Sequence, residues 1–233
     1  HEMTKEQLDF YEKIKARNRN AILDTFQNKV HQRHKSIIIL KGLMQLRQAA
    51  NHPLILDKNF SAESDKFRDS GEIIETIINS GHKVLVFSAF VEHLKIFKKY
   101  FEKNDIDFSY LTGETSQRKR QSEVESFQRD RDIKVFLISI NAGGFGLNLT
   151  AAEYVIILDP WWNPAVERQA IDRAHRIGQE NKVIVYRMIT KNSIEEKISA
   201  YRDKKAKLSE DILEPDENIL NRMSEEDILE LFF

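Results

Sequence analysis

The chain has 233 residues, 41% of them hydrophobic, enough to bury one substantial core, or one core plus a helical appendage. It contains no cysteine, which excludes disulfides, thiolate metal sites and Cys nucleophiles. Lys and Arg total 36 against 37 Asp and Glu, so the net charge of −1 excludes a bulk basic signature, and any nucleic-acid contact has to come from local geometry.

From about Thr4 to Ala50 apolar residues recur at helical spacing (Leu8, Tyr11, Ile14; Leu40, Leu43, Leu46), with no strong breaker before Pro53. This predicts a helical lead-in over 1–60. His1, Glu2 and Met3 read as a non-native lead, as in a fragment cut from a longer chain. Phe60 to Gly71 is polar and charged, which suits a connector.

An alternation follows over 61–205. Lys83 to Phe87 is an apolar run fit for a doubly buried strand, and Val91 to Phe101 has helix spacing. The strand signal returns at Asp107 to Leu111, Val135 to Ile138, Tyr154 to Leu158 and Val183 to Ile189, with helices at about Ser116 to Phe127 and Pro164 to Arg176. Repeated strand and helix predict right-handed βαβ units and a mainly parallel sheet, with ligands at the carboxyl ends of the strands. Ser193 and Glu196 form an S-x-x-E capping box for a further helix. Beyond Leu208 the chain turns acidic, so 206–233 reads as a docked brace or a tail. No stretch approaches the roughly 20 uninterrupted apolar residues that cross a bilayer, and no signal peptide is present, so the expectation is a soluble, non-secreted protein without a membrane partner.

The helix that opens with Asn163-Pro164 carries Gln169, Arg173 and Arg176 at i, i+4 and i+7, which predicts one face bearing three donors. Such a row suits phosphate oxygens, although spacing alone fits a solvated basic face as well. Gly143, Gly144 and Gly146 let backbone amides approach an anion, with Asn148 close by in sequence; alone, they fit a plain tight turn equally. Ser88, Thr112, Ser139 and Asn141 are small polar residues at strand ends, suited either to phosphate-backbone contacts or to ordinary capping. His31 and His34 lack the partners of a metal site, and His175 reads as a packing or hydrogen-bonding residue.

The segment Gln169-Ala-Ile-Asp-Arg-Ala-His-Arg-Ile-Gly-Gln179 resembles motif VI of the Snf2 family within helicase superfamily 2. Lys83 to Phe90 is similar to motif IV, and Leu111-Thr112-Gly113 with Arg118 and Lys119 to segment IVa. Ile138 to Thr150 resembles motif V, Asp159 to Pro164 the family signature before motif VI, and Leu46 to Pro53 the interlobe stretch. The resemblance spans most of residues 36 to 200 in the family's order. It implies a RecA-like parallel sheet flanked by helices, the second lobe of a two-lobed, DNA-dependent ATPase. In that family the matching arginines, here Arg173 and Arg176, reach across the interlobe cleft to the γ-phosphate, with Gln169, Gly144, Gly146 and Asn148 as neighbours of the nucleotide. A finger supplied in this way is worth about 10³ to 10⁵ in rate, or roughly 4 to 7 kcal/mol of barrier. The resemblance places Ser88, Thr112, Gly113, Ser139, Asn141 and Trp161 along the DNA, and one of Trp161 and Trp162 is expected to be buried.

The sequence holds no G-x-x-x-x-G-K-[ST], and Asp216-Glu217 lies in the acidic tail rather than after an apolar strand where it could hold Mg²⁺, so ATP and Mg²⁺ are expected to be held mainly by an N-terminal lobe outside these residues. The fragment alone is expected to be inactive. The implied partners are double-stranded DNA, that lobe and a DNA-bound protein target, and the implied output is translocation and remodelling of protein–DNA complexes. Short spacing between motifs IV and VI suits an archaeal or bacterial member, cytoplasmic; a eukaryotic one would be nuclear. Two alternatives stand: a strand-separating helicase lobe, and a catalytically silent docking module. Burial of Arg173 and Arg176 in ion pairs would favour the latter.

Overall fold

The structure, a computed structural model, describes residues 1–28, 32–140, 142, 147–161, 163–175, 182–206 and 224–233. Five strands form one all-parallel sheet in the order β2-β3-β1-β4-β5: β1 Val84–Ser88, β2 Phe108–Leu111, β3 Val135–Ser139, β4 Tyr154–Ile157 and β5 Ile184–Arg187. The central strands β1 and β3 are buried at every residue, as their uninterrupted apolar runs require. The edge strands differ: β2 alternates, and β5 is largely exposed. All five strands fall within two residues of the sequence expectation.

The chain divides into two compact units, one of His1–Phe67, Pro160–Pro164 and Ile189–Phe233, the other of Arg68–Asp159 and Ala165–Met188. The second contains the sheet, α4 (Val91–Lys103), α5 (Gln117–Arg129), α6 (Pro164–Ile171) from Ala165 onward, and all of α3 (Asp65–Asn79) from Arg68 onward. Leu94, Phe97 and Phe101 of α4 and Phe127 of α5 are fully buried, and Phe127 packs on Phe136 of β3 at 5.2 Å between ring centres.

The helical unit is built from α1 (Lys5–Gln27), α2 (Gln32–Asn51), α7 (Ile194–Ala206) and α8 (Glu225–Phe232). Tyr11, Ile22, Leu43, Leu46, Ile198, Leu231 and Phe232 form its core. The same unit holds a polar network. Lys66, 1% exposed, donates to both carboxylate oxygens of the fully buried Glu195 at 2.8 Å and to Asn51 Oδ1 at 2.7 Å. Glu195 also accepts from the Thr190 amide, whose side chain donates to the Ala50 carbonyl.

Three local expectations change. The connector expected over Phe60 to Gly71 turns helical at Asp65, because Lys66 and Ser70, which composition reads as solvated, are buried on the inner side of α3 with Ile74 and Ile77. The helix from Pro164 ends at Ile171 and continues as turns, with Ala174 N bonded to Ile171 O at 3.0 Å in the tighter i to i+3 pattern. At α7, Ser193 Oγ accepts from the Glu195 amide, but the Glu196 carboxylate reaches back to the Asn192 amide rather than to Ser193.

Candidate functional site

Of the candidate residues that are described, Ser88, Ser139 and Thr112 stand at or directly beyond the carboxyl ends of parallel strands, where ligands of such sheets gather. Ser88 and Ser139 end the adjacent strands β1 and β3 in register. Ser88 is fully buried: its hydroxyl donates to Asp159 Oδ2 at 2.6 Å and accepts from the Phe90 amide at 3.0 Å, closing the turn into α4. The same carboxylate accepts from the Ala89 amide at 3.0 Å. Asp159, fully buried just beyond β4, thus ties the ends of two neighbouring strands. Ser139 is 2% exposed, and its Oγ has no hydrogen-bond partner among the described residues.

Beyond β2, the amide of Thr112 donates to Thr115 Oγ1 at 3.0 Å and its carbonyl accepts from the Thr115 amide, making a tight turn that leads into α5. Gly113 is exposed at its tip, with nothing of the chain within 4 Å of where a Cβ would stand, so its backbone is open to outside contact. Arg118 and Lys119 at the head of α5 are exposed as well.

The residues after β3 are held from α5. Arg120 donates to the Ala142 carbonyl. Gln128 donates to the Asn148 carbonyl at 3.1 Å and accepts from the Ala151 amide at 2.9 Å. The Leu149 amide then donates to the carbonyl of Arg173 at 3.0 Å, which joins the end of the glycine-rich segment to the turn beyond α6. Asn148 and Gln169 are exposed, whereas Arg173 is 5% exposed and its side chain lies within the fold. Gln169 and Arg173 therefore do not share one open helical face. Arg176, Gly144, Gly146, Asn141, His31 and Trp162 lie outside the described residues.

Trp161 is the buried tryptophan, 3% exposed. Like Ser88, it offers no surface to a ligand in this structure. His34 and His175 are exposed. Among the described residues no group of three or more His, Asp or Glu side chains is placed to hold a metal ion, and no helix is long and apolar enough to cross a membrane.

Sequence reasoning gave no role to Asp159, Arg120 or Gln128. Asp159 had a readable signal, a carboxylate ending the apolar run Tyr154 to Leu158. Arg120 and Gln128 had none, since both look like solvated positions on a polar helix and only the fold aims them at the loop.

Residues 65–178 match the helicase conserved C-terminal domain. The chain is 39% identical over 184 residues to the lymphoid-specific helicase of Homo sapiens, covering 73% of this chain and 22% of that protein. The Sulfolobus solfataricus SWI2/SNF2 ATPase C-terminal domain superposes with a TM-score of 0.79 at 31% identity, covering 99% of this chain and 94% of that one. The SWI2/SNF2 ATPase core of the same organism, solved in complex with dsDNA, gives a TM-score of 0.82 at 32% identity over 99% of this chain and 48% of that one. The chain spans about a quarter or less of the length of the first curated relatives it matches. Fold, motif order and these likenesses agree: the chain belongs to the Snf2 family of helicase superfamily 2, of which it is a C-terminal RecA-like lobe.

Proposed function

We propose that this lobe works as half of a DNA-dependent ATPase that translocates on double-stranded DNA and remodels protein–DNA complexes, its other half being an N-terminal lobe that carries the phosphate cradle and the Mg²⁺ ligands. The observation that carries this reading is the Leu149–Arg173 main-chain bond, which joins the segments that resemble motifs V and VI. Their donors, Asn148, Gln169, Arg173, Arg176 and the amides of Gly144 and Gly146, have the chemistry of a phosphate-facing surface. The exposed Gly113 turn, with Arg118 and Lys119 next to it, suits a DNA backbone, whereas Ser139 at the end of β3 is buried and would need the loop after it to open.

The burial of Arg173 gives the mechanism a specific demand. Its guanidinium reaches a γ-phosphate on the other lobe only if the turn after α6 rearranges as the lobes close, so hydrolysis is coupled to a conformational step. Bound ATP supplies the phosphoryl group and the energy of stepping; Arg173 and Arg176 stabilise the charge that develops on it. A second reading, a docking module without turnover, draws on that same burial. A strand-separating helicase would share every residue named here and differ in unwinding a duplex.

ATP hydrolysis by the chain joined to its first lobe, measured with and without duplex DNA and beside Arg176→Ala, tests the proposal. Duplex DNA is expected to stimulate turnover, and the substitution to lower it by about 10³-fold or more. Turnover indifferent to both would point to the docking module, and efficient strand displacement to the helicase.

A further inference from the structure

Arg47 lies near the end of α2 in the Leu46–Pro53 stretch and is 6% exposed. A guanidinium that deep is costly unless its N–H groups are matched. Its Nη2 donates to the carbonyl oxygen of Pro160 at 2.9 Å, a partner 113 positions away in sequence. The acceptor belongs to a short loop with a defined task. Pro160 follows directly on Asp159, the carboxylate that ties the ends of β1 and β4, and the loop then runs through buried Trp161 and Asn163 into α6. Gln169 sits on α6, and Arg173 on the turn beyond it.

We propose that Arg47 is a positioning residue: it fixes the Pro160–Pro164 loop, and through the loop the start of the segment that presents Gln169, Arg173 and Arg176. The catalytic consequence rests on the functional reading above; the clamp on the loop does not. Arginine suits the task because its planar fork donates in a fixed direction, whereas a lysine ammonium is a rotating point charge. The interlobe stretch is thereby part of the machinery that orients the fingers, as well as a link between lobes.

Two measurements test this. Trp161 and Trp162 are the only tryptophans among the 233 residues, so the tryptophan emission of this chain reports on this loop alone. Arg47→Met is expected to shift that emission to the red and raise its quenching by acrylamide with far-UV circular dichroism unchanged, and Arg47→Lys to fall in between. Emission and quenching equal to the unsubstituted chain would overturn the clamp, as would a loss of helix signal in both variants. In the protein with its first lobe, Arg47→Met is expected to lower kcat for DNA-stimulated hydrolysis about tenfold, with KM for ATP and Kd for duplex DNA within about twofold and partial recovery in Arg47→Lys. An unchanged kcat, or a parallel loss of kcat, ATP affinity, DNA affinity and melting temperature, would overturn the positioning role. If the unsubstituted protein shows no DNA-stimulated turnover, the functional reading fails, and the fluorescence alone decides the clamp.

Discussion

Lys66 and Glu195 form the most demanding contact among the residues described, because both side chains have left water almost completely, at 1% and 0% exposed. A pair of this kind adds little over apolar packing while intact but is costly to break, since the surviving charge stays buried. Lys66→Met should therefore destabilise the protein by about 3 to 5 kcal/mol in urea unfolding, with part of the loss restored by pairing it with Glu195→Gln. A single-variant loss near zero would mean that water reaches the site. His52 makes a separate claim on pH. Burial lowers its pKa from 6.5 to about 4, and its Nδ1 accepts from the Leu54 amide at 3.2 Å, a bond that a proton there would break. The folded form thus binds the proton less readily than the unfolded one. The stability it contributes is present above about pH 6.5 and is lost as pH falls towards 4, roughly 3 kcal/mol over the window. His52→Gln should flatten the unfolding midpoint over that window, and an unchanged slope would assign the dependence to other groups.

Between elements, α8 packs closely on α2 at Gly42. A Cβ there would stand 3.1 Å and 3.2 Å from atoms of the Phe232 ring and 3.3 Å from the Asn18 Cβ. Phe232 is fully buried and its ring would have to shift by a few tenths of an ångström, so Gly42→Ala should loosen α8 despite alanine's better helix propensity. Hydrogen exchange should quicken over Glu225–Phe232 while β1 and β3 stay protected; uniform change would contradict this. Phe232→Ala should cost about 3 to 5 kcal/mol by removing the same contact from the other side. At this scale the sequence was a good guide wherever burial was apolar. Val84–Ser88 and Val135–Ser139 announce themselves, and the βαβ alternation fixes the class of sheet. It misled where burial was polar: Lys66 and Ser70 look like connector residues until the Glu195 carboxylate is known to lie opposite Lys66. The early end of α6 was equally hidden, because no breaker marks it in the sequence and the Arg173 carbonyl bonds instead to the distant Leu149 amide.

For the molecule as a whole, the candidate segments were legible as motifs and their order, but the direction in which each side chain points was not. Ser88 turns inward because Asp159, distant in sequence, receives its hydroxyl, and Trp161 is buried although nothing beside it in the chain marks it as the inward tryptophan. The absent phosphate cradle was plain from the residues alone. These 233 residues by themselves should hydrolyse ATP no faster than background, with or without DNA, and turnover that Arg176→Ala abolishes would contradict that.

The helical unit's core draws Tyr11, Ile22 and Leu46 from one end of the chain and Ile198, Leu231 and Phe232 from the other, with Lys66 waiting for Glu195, 129 residues further on. During synthesis, the sheet is complete at Met188 before any of α7 or α8 has left the ribosome. The apolar faces of α1 and α2, made before the sheet, are therefore the last to be covered, and a nascent chain from which β5 but not α7 has emerged carries a folded sheet and an unsatisfied helical pair. Such arrested chains should bind a general chaperone until Ile194–Ala206 emerges and then release it.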